Sequence, residues 1–304
     1  MNSKPVVCIG ASLVDITLRC EQEPILHTSN PATITRSPGG VVRNIAHHLA
    51  LLGVPTELLT VVGRDADGDW LLEQCSNAGI GTRSVLRSHV PTGTFASINS
   101  PAGDLTIGAV TSETDSLLDS AFLDERKDII CNASLVVADC NLSTKTLREL
   151  IALCNACAVP LIVETVSIPK AHRLKDALPG ALFLVKPNRE ELAVFEQDNH
   201  ITPEEKITHL HEQGFRHVWL SRGAEGSLFS DGERIVALAA PKVQVRDVNG
   251  AGDASLAGWI YAWLSGKEPH DCVRYGHAAA ACLLEVNGAV RPDLSIELIT
   301  QHLN

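Results

Sequence analysis

The most informative segment of the chain reads Val245-Arg246-Asp247-Val248-Asn249-Gly250-Ala251-Gly252-Asp253-Ala254-Ser255-Leu256-Ala257-Gly258. The pattern predicts a strand that runs into a tight turn of small residues, followed by a helix that begins near Gly252. Because the first amides of a helix have no internal partners and the helix dipole is positive there, such a turn can bind an anion. Glycines at 250 and 252 let the backbone approach a phosphate without an intervening Cβ atom.

Asp253 is the residue of this turn with acid–base chemistry. At the start of a helix, its carboxylate can accept a proton from an alcohol held against the phosphate. The same letters fit a simpler interpretation, in which Asp253 only caps the helix and the glycines only form the turn. An aspartate of ordinary pKa is ionised at pH 7, so the catalytic role needs no unusual tuning. Neither a Walker A motif nor a Gly-x-Gly-x-x-Gly motif after a strand is present, which argues against those nucleotide-binding folds.

Outside this segment, short apolar stretches alternate with amphipathic ones. Such alternation predicts βαβ units and an α/β fold with a mainly parallel, right-handed, twisted sheet. The predicted strands are 6–10, 58–62, 135–138, 161–166, 181–185 and 218–221. The predicted helices are 41–52, 70–78, 144–158, 189–195, 202–213, 252–264 and 270–285.

Two stretches, at about 16–36 and 93–111, break this alternation. The first has no helical period. In the second, polar and apolar residues alternate around the turn Ser100-Pro101-Ala102-Gly103-Asp104, which predicts a β-hairpin. Together they form either an edge meander that extends the main sheet or a small lid over a substrate cleft.

Composition restricts the class of protein. The chain has 304 residues, of which 25 are Lys or Arg and 36 are Asp or Glu, giving a net charge of −11. This balance argues against a nucleic-acid or membrane partner, and no apolar run is long enough to predict a transmembrane helix. The first residues lack the pattern of a signal peptide, so we expect a cytoplasmic protein. The nine scattered cysteines then indicate reduced thiols.

A second candidate site lies near the N-terminus. Ser37-Pro38-Gly39-Gly40 precedes a predicted helix that carries Asn44, and Asp15 follows the first predicted strand. In open α/β sheets, ligands bind beyond the carboxyl ends of the strands. A carboxylate, an amide and closely approaching glycines suit the vicinal hydroxyls of a sugar. Each residue alone also fits a turn or a helix cap.

Four short elements, in this order, resemble the ribokinase-like (PfkB) family of carbohydrate and nucleoside kinases. They are Gly39-Gly40 with Asn44, Lys186-Pro187-Asn188-Arg189-Glu190-Glu191, Ser221-Arg222-Gly223-Ala224-Glu225-Gly226, and Asp247 with Gly250-Ala251-Gly252-Asp253. The resemblance spans nearly the whole chain. It implies a three-layer αβα sandwich, with residues 1–304 as a single domain and lid strands inserted at about 16–36 and 93–111.

Within the family, the branch of bacterial pseudouridine kinases is most similar. The residues that carry this likeness are Ser29-Asn30-Pro31, Arg43 before Asn44, Asp139-Cys140-Asn141 and Pro292-Asp293-Leu294-Ser295. Arg43 is the residue most typical of this branch, but the sequence also allows it to be a solvated arginine on the surface of a helix.

The family resemblance also implies roles for individual residues. Asp253 would be the general base for a sugar 5′-hydroxyl, and the amides of Gly250, Ala251 and Gly252 would form an anion hole for the transferred phosphoryl group. The substrate would be held by Asp15, Gly39, Gly40, Arg43 and Asn44. ATP would lie against Asn188, Glu191, Ser221, Gly223 and Gly226. Glu191 would organise Mg²⁺ through water, and Asp247 would bind a monovalent cation such as K⁺.

The chain departs from the family pattern at several positions. Ser221 replaces the usual threonine but keeps its hydroxyl group. Val248-Asn249 stands where the family commonly has a threonine, so a hydroxyl group is missing there and the inference of a cation site is weaker. Glu164 replaces the aspartate of the branch, which leaves its role open. Lys170 either faces a nucleobase or phosphate or is a solvated surface residue. Cys154 and Cys157 have no second pair, so packing is favoured over zinc or redox chemistry.

Three functions follow from the resemblance. The first is an ATP-dependent kinase that phosphorylates the 5′-hydroxyl of pseudouridine. The second is the same chemistry on another nucleoside or sugar, such as ribose, adenosine or inosine. The third is a non-catalytic sensor that binds a sugar or nucleoside, against which the intact Asp253 turn argues. Because exposed strand edges tend to be paired, we also expect a homodimer through the lid.

Overall fold

The computed structural model describes residues 4–198 and 200–303. An eight-stranded sheet forms its centre and a four-stranded sheet lies apart from it. The strands are β1 (Val6–Ile9), β2 (Leu13–Cys20), β3 (Ala32–Gly39), β4 (Thr56–Leu59), β5 (Val61–Gly63), β6 (Leu86–Ser88), β7 (Gly93–Asn99), β8 (Leu105–Thr111), β9 (Leu135–Asp139), β10 (Leu161–Glu164), β11 (Leu182–Val185), β12 (Phe215–Ser221), β13 (Ser227–Ser230) and β14 (Ile235–Leu238). The helices are α1 (Val41–Leu51), α2 (Ala66–Asn77), α3 (Ser120–Glu125), α4 (Lys127–Cys131), α5 (Thr144–Ala156), α6 (Ile168–Ala177), α7 (Arg189–Phe195), α8 (Pro203–Glu212), α9 (Ala251–Leu264), α10 (Pro269–Leu284) and α11 (Ile296–Gln301).

The central sheet has the strand order β14-β13-β12-β11-β10-β9-β1-β4. Its strands from β12 to β4 are all parallel, and β13 and β14 add an antiparallel edge. Successive residues of β1 point to opposite sides: Val7 packs with α5, α6 and α8, whereas Val6 packs with α1, α9 and α10. Helices therefore cover both faces, as the continuous apolar sequence of a parallel strand requires. The predicted three-layer α/β fold is confirmed.

The four-stranded sheet contains both stretches that interrupt the predicted alternation. Its strand order is β3-β2-β7-β8. The predicted hairpin is β7 and β8, and its turn closes with a hydrogen bond from Ser100 N to Asp104 O of 2.9 Å. Because these strands form a separate sheet, the edge-meander interpretation is wrong. The second stretch has the expected bounds, 93–111, whereas the first begins earlier and ends later than expected, so that Asp15 lies within β2 and Gly39 within β3.

The structure corrects two other predicted strands. The single strand expected at 58–62 is two strands, β4 and β5, which belong to different sheets. The residues before the Gly250 turn form no strand: β14 ends at Leu238, and the chain continues irregularly to Gly250, with Val245 and Val248 more than half exposed. The reason is topological. β14 is the outermost strand, and the chain must cross the end of the sheet before α9 can pack beside α1.

The expectation that all nine cysteines are reduced is also wrong. Cys131 at the end of α4 and Cys157 after α5 are joined by a disulfide, with their Cα atoms 5.3 Å apart. The two helices pack side by side, and sequence separation alone could not show that they bring these residues together. Cys154 is buried and free, consistent with packing. Among the described residues, no helix combines the length and apolar character needed to cross a membrane.

Candidate active site

The two candidate sites of the sequence meet in one place. Asn44 Nδ2 donates a hydrogen bond of 2.8 Å to Asp253 Oδ2, although the residues are 209 positions apart. The contact exists because α1 and α9 pack together in the same helical layer. Asp253 is only 8% exposed. Its carboxylate faces α1 and does not cap its own helix, because the N-cap of α9 is Gly250 and has no side-chain cap. The helix-cap interpretation of Asp253 is therefore wrong.

The turn before Asp253 has the geometry of an anion cradle. Gly250 adopts a left-handed conformation with φ 73°, and a Cβ atom there would lie 2.3 Å from Ala289 O. The first helical hydrogen bond runs from Ala254 N to Gly250 O at 2.9 Å, so the amides of Gly252 and Asp253 have no carbonyl partner four residues earlier within the helix. The Ala251 amide makes a long bond of 3.3 Å to Val248 O. The cradle is thus a helix N-terminus that can receive a phosphate.

The other predicted substrate residues cluster at the start of α1, the helix whose Asn44 contacts Asp253. Gly40 is the N-cap of α1 with φ 107°, and a Cβ atom there would lie 2.4 Å from Ala11 O. Gly39 packs directly against the Asp15 carboxylate. Arg43 is 2% exposed and donates hydrogen bonds to Pro38 O and Asn44 Oδ1. The solvated-arginine interpretation is therefore wrong.

Burial changes the acidity of the two carboxylates at this site. It raises the pKa of Asp253 to about 6, against the lowering effects of the Asn44 hydrogen bond and of the charges on Lys186 and Arg43. Burial likewise raises the pKa of Asp15 to about 6, with Arg43 acting in the opposite direction. The sequence interpretation required no shift of the Asp253 pKa, and burial adds one. The residue stays mostly ionised at neutral pH and is a stronger base than a solvated aspartate.

These pKa values predict how activity depends on pH. Because the base must be ionised to accept a proton, kcat/KM for the alcohol substrate is expected to fall as the pH drops through about 6 and to level off above about 7. Initial rates measured from about pH 5 to pH 8, with circular dichroism confirming the folded state at each pH, check this. A profile that stays flat down to pH 5 contradicts it.

The residues assigned to the nucleotide lie at the carboxyl ends of β11 and β12. Asn188 caps α7: its Oδ1 accepts from Glu191 N at 2.9 Å, and Glu191 Oε2 accepts from Asn188 N at 3.0 Å and from Thr165 Oγ1 at 2.7 Å. Ser221 joins this loop through a bond of 2.9 Å from its amide to Pro187 O. Gly223 and Gly226 form the tight turn that follows Ser221. The structure therefore brings the second and third motifs together.

The donor set fits a weakly held Mg²⁺ better than a protein-caged metal. The described part of the chain contains no group of three His, Cys, Asp or Glu side chains that could hold a metal ion. Glu191 is 6% exposed and uses Oε2 for the bonds to Asn188 and Thr165. A single carboxylate of this kind suits Mg²⁺, which keeps its waters and binds chiefly to phosphates. Asp247 accepts from Asn249 N at 3.0 Å and from Gly288 N at 2.9 Å, which ties together the two loops beside Gly250.

The sequence interpretation quoted Lys186 only as part of a motif and left the roles of Glu164 and Lys170 open. Lys186, which precedes the Pro187-Asn188 loop, is 5% exposed and lies 3.7 Å from Glu164 Oε2. Burial raises the pKa of Glu164 to about 7, with Lys186 lowering it. A signal was available, since Lys186 directly follows a buried strand within a recognised motif. Lys170, expected at the solvated surface, is half-buried and donates to Asn141 Oδ1.

Known proteins resemble this chain in sequence and in fold. The sequence pattern of the pfkB family carbohydrate kinases matches residues 3–296. The pseudouridine kinase of Escherichia coli K12 is 32% identical over 298 residues, covering 96% of this chain and 94% of that protein. Two solved structures share the fold. Arabidopsis thaliana ribokinase complexed with ribose and ATP has a TM-score of 0.88 at 23% identity, over 99% of both chains. An E. coli putative ribokinase II in complex with ATP and Mg²⁺ has a TM-score of 0.83 at 18% identity, over 99% of both chains.

Proposed function

The chain belongs to the pfkB family of carbohydrate kinases, and we propose that it transfers the γ-phosphoryl group of ATP to the 5′-hydroxyl of pseudouridine. That it is a sugar or nucleoside kinase, a phosphotransferase with an alcohol acceptor, follows from the family. The observation that carries the proposal is the Asn44–Asp253 hydrogen bond, which joins a sugar-binding helix to a base beside an anion cradle. The choice of pseudouridine is supported by the identity to the E. coli enzyme and by the buried Arg43.

Each group has a task in the proposed reaction. Asp15 and Asn44 hold the ribose hydroxyls, and Asn44 orients the Asp253 carboxylate towards the 5′-hydroxyl. Asp253 takes the hydroxyl proton as the bond from O5′ to phosphorus forms, and the bond to the bridging oxygen of ADP breaks with its electron pair going to ADP. The amides at the start of α9 stabilise the negative charge on the transferred group, which is the main requirement of phosphoryl transfer.

Cations complete the proposed site. Mg²⁺ bound to the ATP phosphates would neutralise part of their charge, and Glu191 would hold it through water. Asp247 would bind a monovalent cation together with carbonyls of the loops it joins. The support for this site is indirect, namely that Asp247 links the Asn249 and Gly288 amides next to the cradle.

A set of polar groups lies at the end of β9, where the Asp139 carboxylate packs against Gly10 at the end of β1, and it supports a nucleoside over a free sugar. Lys170 bonds to Asn141, and Asn141 N donates to Asp139 Oδ1 at 2.9 Å. Asp115 is close enough for Lys170 to lower its pKa, although burial raises that pKa to about 6. An ammonium, an amide and a carboxylate together offer both donors and acceptors, which the carbonyl and N–H groups of a uracil ring require.

A substrate panel tests the proposal. ADP release is measured with pseudouridine, uridine, ribose, adenosine and inosine under identical conditions. We expect the highest kcat/KM for pseudouridine. Ribose is the second candidate, favoured by the fold shared with a ribokinase that binds it, and a higher kcat/KM for ribose would replace the proposal. Thermal stabilisation by a nucleoside without ATP consumption would indicate a sensor instead.

We also propose that the four-stranded sheet is a lid of a single domain and that two lids pair in a homodimer. The strand register places Ile34, Ile98 and Ile107 on one face of this sheet, and each is at least one-third exposed. A second copy of the sheet would cover that face. Light scattering at micromolar concentration is expected to give twice the monomer mass, and Ile34→Lys with Ile107→Lys is expected to shift it towards the monomer. A monomeric parent contradicts the pairing.

A further inference from the structure

The starting observation is a buried cation without a hydrogen bond. Lys186 is 5% exposed, yet its Nζ donates no hydrogen bond to any residue in the described ranges. Its ion-pair partner is Glu164, at 3.7 Å, which is beyond hydrogen-bonding distance. Glu164 Oε2 is itself buried without a hydrogen-bond partner. Burying an ammonium is costly unless its hydrogens are used, so this arrangement leaves both groups short of partners.

The second observation is the direction in which Lys186 points. Its Nζ lies 3.5 Å from the place that a Cβ atom would take on Gly252, in the first turn of α9. On another side, the Trp219 ring centre is 5.7 Å from Nζ and limits how far the ammonium can withdraw. The positive charge also lowers the pKa of Asp253, as an ammonium close to a carboxylate does. An ammonium and the free amides of a helix N-terminus thus converge on one position, and both favour an anion.

From these observations we propose that Lys186 is a catalytic residue that contacts the transferred phosphoryl group, and that Glu164 is the positioning residue that holds its ammonium until the nucleotide binds. The inference rests on the proposed kinase function. It adds that a contact between Lys186 and the γ-phosphate replaces the 3.7 Å ion pair between Lys186 and Glu164 when the nucleotide binds. Lys186 takes no part in the proton transfer. Its charge offsets the negative charge on the phosphoryl oxygens while the proton of the hydroxyl goes to Asp253 and the electron pair of the broken bond goes to ADP.

The surroundings of Glu164 make it a partner of Lys186 that a bound phosphate can replace. Acidic groups and one thiol approach it from several elements, and these are Asp139 and Cys140 at the end of β9, Glu191 on α7 and Asp253 on α9. Lys186 is the cation among the charged groups that act on it. A phosphoryl oxygen at the α9 terminus would compete with Glu164 for this cation. Glu164 therefore orients the ammonium in the free enzyme and weakens the binding of the γ-phosphate.

The experiment uses the full chain and compares Lys186→Met, Lys186→Arg and Glu164→Gln with the matched control Lys175→Met. Lys175 is also half-buried or more, but its Nζ donates to Val194 O at 2.8 Å, away from the site. Steady-state kcat and KM are measured with the acceptor that the panel identifies. Calorimetry with Mg²⁺ gives the affinities for β,γ-methylene ATP and for ADP.

We expect Lys186→Met to lower kcat by about 10²- to 10³-fold, the scale for losing one donor to a transition-state charge. Its affinity for the ATP analogue should fall while that for ADP changes by less than about 2-fold, because ADP lacks the γ-phosphate. Lys186→Arg should recover part of kcat, and Lys175→Met should match the parent. Glu164→Gln should lower kcat but bind the ATP analogue about 2- to 10-fold more tightly, because the competitor for Lys186 is gone.

Equal weakening of both nucleotides by Lys186→Met, or a kcat close to that of the parent, would overturn the phosphate contact. Weaker binding of the analogue by Glu164→Gln would overturn the exchange between partners. Should Lys186→Met fail to fold, the arginine variant and Glu164→Gln still decide the matter. A parent that binds nucleotides but rejects pseudouridine would refute only the substrate assignment, because the calorimetric comparison does not depend on the acceptor.

Discussion

Asparagine at position 253 is expected to reduce kcat by about 10²- to 10⁴-fold, the usual contribution of a general base. Asp253→Asn removes the proton acceptor but keeps an oxygen that can accept the hydrogen bond from Asn44 Nδ2, now 2.8 Å long. The pocket geometry should therefore survive, and the dissociation constant of the nucleoside should change by less than about 3-fold. Coupled ADP-release kinetics and a binding titration measure the two quantities separately.

The matched control for this variant is Asp271→Asn. Asp271 is the third residue of α10, as Asp253 is the third residue of α9, but it is exposed at the surface. Both substitutions remove an acidic group from the first turn of a helix, so any loss through the helix dipole is common to the two. We expect Asp271→Asn to retain the activity of the parent. If Asp253→Asn stays within about 10-fold of the parent, Asp253 is not the base.

The second large effect is expected at Gly250. Gly250→Ala forces a left-handed conformation on an L-residue, at about 1–2 kcal/mol, and places its Cβ atom 2.3 Å from Ala289 O. Since two backbone segments cannot overlap, either the Ala289 loop or the start of α9 must move. A displacement of the amides by about 1 Å is enough to cost about 10²-fold in rate. Turnover should fall by at least that factor.

Gly266→Ala separates the clash from the backbone strain. Gly266 follows the other end of α9 with φ 81°, and nothing lies within 4 Å of the place of its Cβ atom. Both variants should lose stability in thermal unfolding, but we expect only Gly250→Ala to lose activity. Similar kinetics in the two variants would show that the turn does not have to keep its shape for catalysis.

Structural elements that depend on local geometry were predictable from the amino-acid sequence. The hairpin around Ser100–Asp104 and the helix that begins beside Gly250 follow from turn residues and apolar periodicity. The family resemblance implied that Asn44 and Asp253 serve one substrate, but their hydrogen bond was not predicted, since a spacing of 209 residues carries no periodic signal. The family membership and the fold are therefore secure from sequence, whereas the individual site roles stay predictions.

Properties that depend on how the helical layers pack on the sheet could not be predicted from the sequence. Valine favours strands, but Val245 lies in the irregular segment that leads from the edge of the sheet to α9, and it is more than half exposed. The pKa of Asp253 rises because helices enclose it, and no single neighbour in the sequence reports that enclosure. Glu164 is the last residue of β10 and Lys186 directly follows β11, so their pairing depends on these two strands being neighbours in the sheet.

The contact between α1 and α9 also bears on how the enzyme matures. A ribosome must synthesise more than four-fifths of the polypeptide before the partner of Asn44 exists, so no nascent fragment can assemble a competent centre. Contacts of such high sequence separation are slow to form, because loop-closure entropy is lost before they contribute stability. On dilution from denaturant, recovery of catalysis should therefore lag behind the recovery of helical circular dichroism.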